Sequence, residues 1–98
     1  MEVSAINKKA STIAMAVVTF LKKNKFEGID RENGPKDSNG YLVIYIRLHK
    51  KNVARIYCSD GGKILCQLLC MSAIVGRDPG EVITRVAGFR GAKIVSRN

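Results

Sequence analysis

Histidine occurs once in this chain of 98 residues, cysteine three times and acidic side chains eight times. Each scarcity removes a class of function. His49 stands among lysines, and no serine or cysteine is arranged as its partner by a recognisable signature. No carboxylate pair stands out in an apolar context, and Asp60-Gly61-Gly62-Lys63 carries only part of the G-x-x-x-x-G-K-[ST] phosphate loop. The sequence therefore predicts no enzyme.

Cys58, Cys66 and Cys70 are an odd set without framework spacing, which predicts free buried thiols in a reducing compartment. Cys66 and Cys70 stand four apart, with Cys58 and His49 nearby in sequence. Structural zinc asks for more, usually paired ligands such as C-x₂₋₄-C with H-x₃₋₅-H. Neither metal nor cofactor is expected.

Long apolar runs are also missing. Ala10 to Leu21 is apolar, but twelve residues fall short of the ~20 needed to span a bilayer. Lys8 and Lys9 precede that run, yet Lys22, Lys23 and Lys25 follow at once without a small-residue cleavage site, unlike a secretory signal. A cytoplasmic protein without membrane attachment is expected. There is no repeat, low-complexity segment or domain boundary, and the length suits one domain over residues 1–98. With 46% hydrophobic and 26% charged residues, the chain has the balance of an ordinary globular fold, able to bury a core unaided.

What the chain has in excess is positive charge. Seventeen Lys and Arg against eight Asp and Glu leave +9, with an isoelectric point near 9.8. A surplus of that size on a small body repels itself and calls for a counter-charged partner. The expected partner is nucleic acid, DNA or RNA, or else an acidic protein surface.

Along the chain, Ile6, Ala10, Ile13, Val17, Phe20 and Leu21 recur at helical spacing, predicting a helix over 4–25 with Ser4 as its N-cap. Glu27 to Gly40 is rich in turn residues and is expected to be a long loop holding four acids, Glu27, Asp30, Glu32 and Asp37. Tyr41 to Leu48 and Val53 to Cys58 predict a β-hairpin. Lys63 to Val75 has only Lys63, Gln67 and Ser72 as polar members, and its length favours a helix buried nearly all round. Asp78-Pro79-Gly80-Glu81 predicts a helix start with a capping box, ending at Gly88. Ala92 to Ser96 predicts a last strand added to the hairpin. The expected fold is α+β, in the order α-β-β-α-α-β. A small antiparallel sheet of hairpin plus C-terminal strand would carry the helices packed on one face.

Side chains alternate along a strand. Leu42, Ile44, Ile46 and Leu48 share one face with Ala54, Ile56 and Cys58 if the register joins the apolar sets. The other face then gathers Tyr45, Arg47, Arg55 and Tyr57, with Val53 beside them and Lys50 and Lys51 at the tip. Aromatics interleaved with arginines form a stacking and phosphate-neutralising platform. Equally, the tyrosines serve as a cross-strand pair under arginine stems. A second basic group is Arg85, Arg90, Lys93 and Arg97 around Gly88 and Gly91. Gly88-Phe89-Arg90-Gly91 resembles the G-x-x-G loop of KH domains over about seven residues. That loop joins two helices well inside the KH domain, whereas seven residues follow it here. Gly88 as a helix C′ residue and Gly91 as a turn is therefore the reading adopted.

Two functional classes follow. The first is a small basic nucleic-acid-binding protein using lysine and arginine contacts to phosphate and the Tyr/Arg face of the hairpin. The second is a non-enzymatic regulatory or inhibitory protein, such as a phage host-takeover or anti-defence factor. It would dock on an acidic surface of a larger protein or nucleoprotein complex.

Overall fold

A computed structural model describes residues 2–69 and 76–96. The helix α1 (Val3–Lys23) is followed by four strands, β1 (Ile29–Asn33), β2 (Ile44–Leu48), β3 (Lys51–Cys58) and β4 (Ile64–Leu68). The helix α2 (Gly80–Phe89) and a final strand β5 (Lys93–Ser96) complete the chain. The five strands form one sheet in the order β1-β2-β3-β4-β5, antiparallel throughout except that β5 runs parallel to β4.

The α+β class holds, whereas the predicted order and the wholly antiparallel sheet do not. Two strands were hidden. The segment expected to be a loop contains β1, and the helix expected from Lys63 is instead β4 over Ile64–Leu68, with 70–75 outside the described residues. Strand β4 lies between β3 and β5 and contributes apolar residues to both of its faces, so its sequence shows no alternation. The C-terminal strand pairs with β4 and not with the hairpin. Helix packing holds only in outline: α1 lies against β1, β2 and β3, and α2 against β4 and β5.

Both helices end in the same way. After α1, the amide of Lys25 donates to the Lys22 carbonyl and that of Phe26 to Leu21, at 3.0 and 3.1 Å. After α2, Gly91 donates to Gly88 and Ala92 to Ala87, at 3.1 and 3.0 Å. These are Schellman closures, which need a left-handed residue at the turn. Gly91 takes it at φ +94°, while Lys25 takes it at φ +64° with a side chain in place. Gly88 therefore lies inside α2 and Gly91 is the C′ residue, three residues later than expected. Ser4 likewise lies within the first turn of α1, whose N-cap is Glu2. At α2 the N-cap is Pro79 and not Asp78. Asp78 Oδ1 accepts from the Gly80 amide at 2.8 Å, and Glu81 reaches Arg85 at 4.0 Å instead of closing the expected capping box.

The core takes one alternate set from each inner strand: Ile44, Ile46 and Leu48, then Ala54, Ile56 and Cys58, then Ile64 and Cys66. Ile6, Ala10, Ile13, Ala14, Val17 and Leu21 of α1 and Val82, Ile83, Val86 and Ala87 of α2 meet them. The pairs Ile44↔Ile56 and Ile46↔Ala54 join the two apolar sets, the register expected from the sequence. One residue departs. The register shifts between Ile46 and Arg47, and Val53 turns into the core beside Ala54. A bulge puts the extra residue of one strand opposite a single partner, which breaks the alternation.

Candidate nucleic-acid interface on the open sheet face

The strand faces turned away from the core carry the predicted hairpin residues. Cross-strand pairing arranges them in rows: Glu32, Tyr45, Arg55, Gln67 and Val95 in one, Tyr57, Leu65 and Lys93 in the next. Strands lie about 4.8 Å apart, so Tyr57 and Lys93 stand about 10 Å from each other across Leu65. Tyr45 is opposite Arg55 and diagonal to Tyr57. The Arg55 guanidinium lies 4.2 Å from the centre of the Tyr57 ring, a cation–π contact. Its buried Nε has no hydrogen-bond partner among the described residues. Tyr45 is held at its edge, since a Cβ on Gly34 would come 3.2 Å from its Cε2.

Arg47 is on this face but is not available to a phosphate. Its Nε and Nη2 donate to Asp30, at 2.8 and 2.6 Å, and Nη1 donates to Glu32 at 2.8 Å. The two acids come from β1, so a segment read as a remote acidic loop in fact lines the hairpin. The guanidinium beside it holds the Asp30 carboxyl below its ordinary range, and Asp30 in turn raises Arg47. Sequence reasoning missed both acids. The alternation Asp30-Arg31-Glu32 after Ile29 was the available signal, with Arg31 on the core side donating to the Ser11 carbonyl at 3.2 Å.

His49 and Lys50 form the two-residue turn between β2 and β3, both in the left-handed region at φ +51° and +65°. Lys50 is exposed there, and Lys51 is exposed at the start of β3. The second predicted group is divided. Lys93 joins the open face, whereas Arg85 and Arg90 sit on the helix layer, because α2 packs through Val82, Ile83, Val86 and Ala87. Arg97 lies outside the described residues.

Two further features were not legible. A groove of about 400 Å³ separates the helices, lined by Phe20, Val82, Val86, Phe89, Arg85 and Arg90. Phe89 is 87% exposed there, and Arg90 lies 5.6 and 5.9 Å from the Phe20 and Phe89 ring centres. A cleft of about 480 Å³ at the start of β4 is bordered by Lys9, Lys63 and Lys93.

Two of the three cysteines lie among the described residues. Cys58 and Cys66 are buried thiols, the latter on β4 instead of the helix expected, and burial pushes its pKa up to about 11. Cys70 lies outside the described residues. Among the described residues no three His, Cys, Asp or Glu side chains gather as metal ligands, and no helix is long and apolar enough to cross a membrane. Comparison of the chain with family models, with curated proteins and with solved structures returns no match, so what it does has to be argued from this geometry alone.

Proposed function

We propose that the chain binds nucleic acid as a single strand on the open sheet face, with bases stacking at Tyr57 and phosphates meeting Lys50, Lys51 and Lys93. The observation that carries this reading is Arg55 stacked on Tyr57, with Lys93 in the same row as Tyr57 across Leu65. Stacking surfaces accept any base, and lysines along a strand neutralise its backbone, so sequence-tolerant binding is the expected behaviour. Arg47 serves as a structural clamp for β1 and is withdrawn from the contact set.

Fluorescence anisotropy with labelled single-stranded DNA, single-stranded RNA and duplex, at low and high salt, tests this directly. Affinity should fall steeply with salt as counterions are released. Tyr57→Ala should weaken single-strand binding by about 1–3 kcal/mol, roughly 5- to 150-fold. Equal affinity of the variant, or no binding above background in low salt, would remove the proposal.

A second reading rests on the groove between the helices. Its exposed Phe89 is flanked by Arg85 and Arg90, which suits an acidic segment of a larger protein and hence a regulatory or inhibitory role. A partner retained from nuclease-treated lysate by the native chain, and lost with Phe89→Asp, would favour it. Retention by both would exclude the groove.

A further inference from the structure

Lys9, Lys63 and Lys93 come from three separate parts of the chain and border one cleft of about 480 Å³. Each arrives for a local reason. Lys9 stands one turn beyond Ile6 on α1, where Ile6 and Ala10 are buried and anchor the helix. Lys63 follows the tight turn between β3 and β4, closed by the Gly62 amide donating to Ser59 at 2.9 Å and the Ser59 amide donating to Lys63 at 2.8 Å. Lys93 opens β5 directly after the closure of α2 at Gly91.

The two glycines shape the cleft. Gly62 and Gly91 both have positive φ, and Cβ atoms built there would come 3.3 Å from Ile6 Cδ1 and 3.3 Å from Lys9 Nζ. The second distance also locates the Lys9 ammonium, against the bare backbone of Gly91. Unlike Arg47, none of the three lysines makes an ion pair among the described residues. The turn acid Asp60 lines an adjoining hollow with Tyr41, which shares Ile6 and Gly62 with the cleft. Ile6, Ile64 and Ala92 complete the lining with apolar surface.

We propose that this cleft binds a phosphate-bearing ligand, with the phosphate held by Lys9 and Lys63 and bordered by Lys93. Lysine is a compact, strongly hydrated point charge, and three around one opening favour a multiply charged anion over a carboxylate. The volume lies within the ~300–1,000 Å³ of small-molecule sites, and the apolar lining accommodates an organic body attached to the phosphate. The cleft shares Lys93 with the tyrosine face, but Lys9 and Lys63 belong to the cleft alone, so it does not rest on the reading given above.

The test is a titration of the ¹⁵N-labelled full chain with inorganic pyrophosphate, with adenosine triphosphate and with adenosine. Pyrophosphate and the triphosphate should shift the amides of Gly62, Lys63, Gly91 and Ala92 saturably, while adenosine leaves them in place. Lys9→Gln and Lys63→Gln, both at exposed positions, should each weaken pyrophosphate binding about ten-fold or more. Tyr57→Ala should leave it unchanged, so failure of the sheet-face reading would not affect this site. Non-saturating shifts spread over lysines everywhere, or binding indifferent to both variants, would overturn the proposal. With the site upheld, a single-stranded oligonucleotide displaced from these amides by pyrophosphate identifies the phosphate as that of a strand. An oligonucleotide that leaves them unmoved identifies a free small ligand.

Discussion

Arg47 and Asp30 are joined across β2 and β1 by two parallel hydrogen bonds, Nε to Oδ1 at 2.8 Å and Nη2 to Oδ2 at 2.6 Å. This bidentate geometry is the strongest form of an ion pair. It fastens an edge strand that contributes little apolar surface of its own, because Ile29 alone of its residues packs against the core.

The pair makes stability depend on acid. A carboxyl whose pKa is lower in the folded state stabilises the fold above its ordinary, unfolded value. That contribution is lost as pH falls through the lowered value. Asp30→Asn should therefore melt at a lower temperature than the native chain at pH 7, and the gap should close as pH is taken below the carboxylate range. A gap independent of pH would mean that the pair contributes through packing alone.

On the proposed sheet-face reading, the same substitution should strengthen single-strand binding. Removing the Asp30 charge leaves Arg47 shared only with Glu32 and adds one net positive charge to the tyrosine face. One additional phosphate contact would raise affinity and steepen the slope of log K against log salt by about 0.7 to 0.9. An unchanged slope would show that Arg47 lies beyond the reach of the bound strand.

Lys25 occupies the left-handed turn that closes α1, where the equivalent turn of α2 uses Gly91. A side chain at that conformation costs on the order of 1 kcal/mol, part of which glycine returns through its greater freedom in the unfolded chain. Lys25→Gly should raise the urea midpoint by an amount equivalent to about 0.5–1 kcal/mol. Destabilisation would show that the lysine side chain makes a contribution larger than its strain.

Cys66 faces the core from β4 with no exposed surface, and its thiol is pushed up to about 11. Only the thiolate attacks alkylating reagents, so at pH 8 Cys66 should be labelled no faster than the protein opens. Peptide mapping after timed labelling, with and without urea, measures this. Rapid labelling of Cys66 in the native protein would contradict the packing of β4.

The legible parts of the fold were those where one face is buried and the other is not. In β2 and β3 the alternation of Ile44, Ile46 and Ile56 against Tyr45, Arg55 and Tyr57 revealed strands, register and the tyrosine face together. Where that contrast fails, so did the reading. In β4, Ile64 and Cys66 are buried in the core while Leu65 stands half-buried on the open face, so apolar residues occupy both faces. The turn Ser59-Asp60-Gly61-Gly62 between two apolar runs was the better guide, since a short glycine-containing link joins hairpin strands. In β1 the opposite holds, with charged residues predominating because the strand lies at an edge. The clamp on Arg47 depended on finding that strand, and so did the true charge of the hairpin face. The lysine cleft could not be read at all, because it depends on three segments meeting only in the folded chain.

Spatial order in the sheet repeats order along the chain, β1 through β5, and this has a consequence for how the structure assembles. The strands β2, β3 and β4 each pair antiparallel with the one just before, so the sheet can zip from the amino-terminal side through local connections of low closure entropy. The fifth strand differs, since its parallel alignment requires the chain to return past α2 before it can dock. Its pairing closes the longest connection in the sheet. Lys93 belongs to this strand, so the cleft it borders is complete only when β5 has paired with β4.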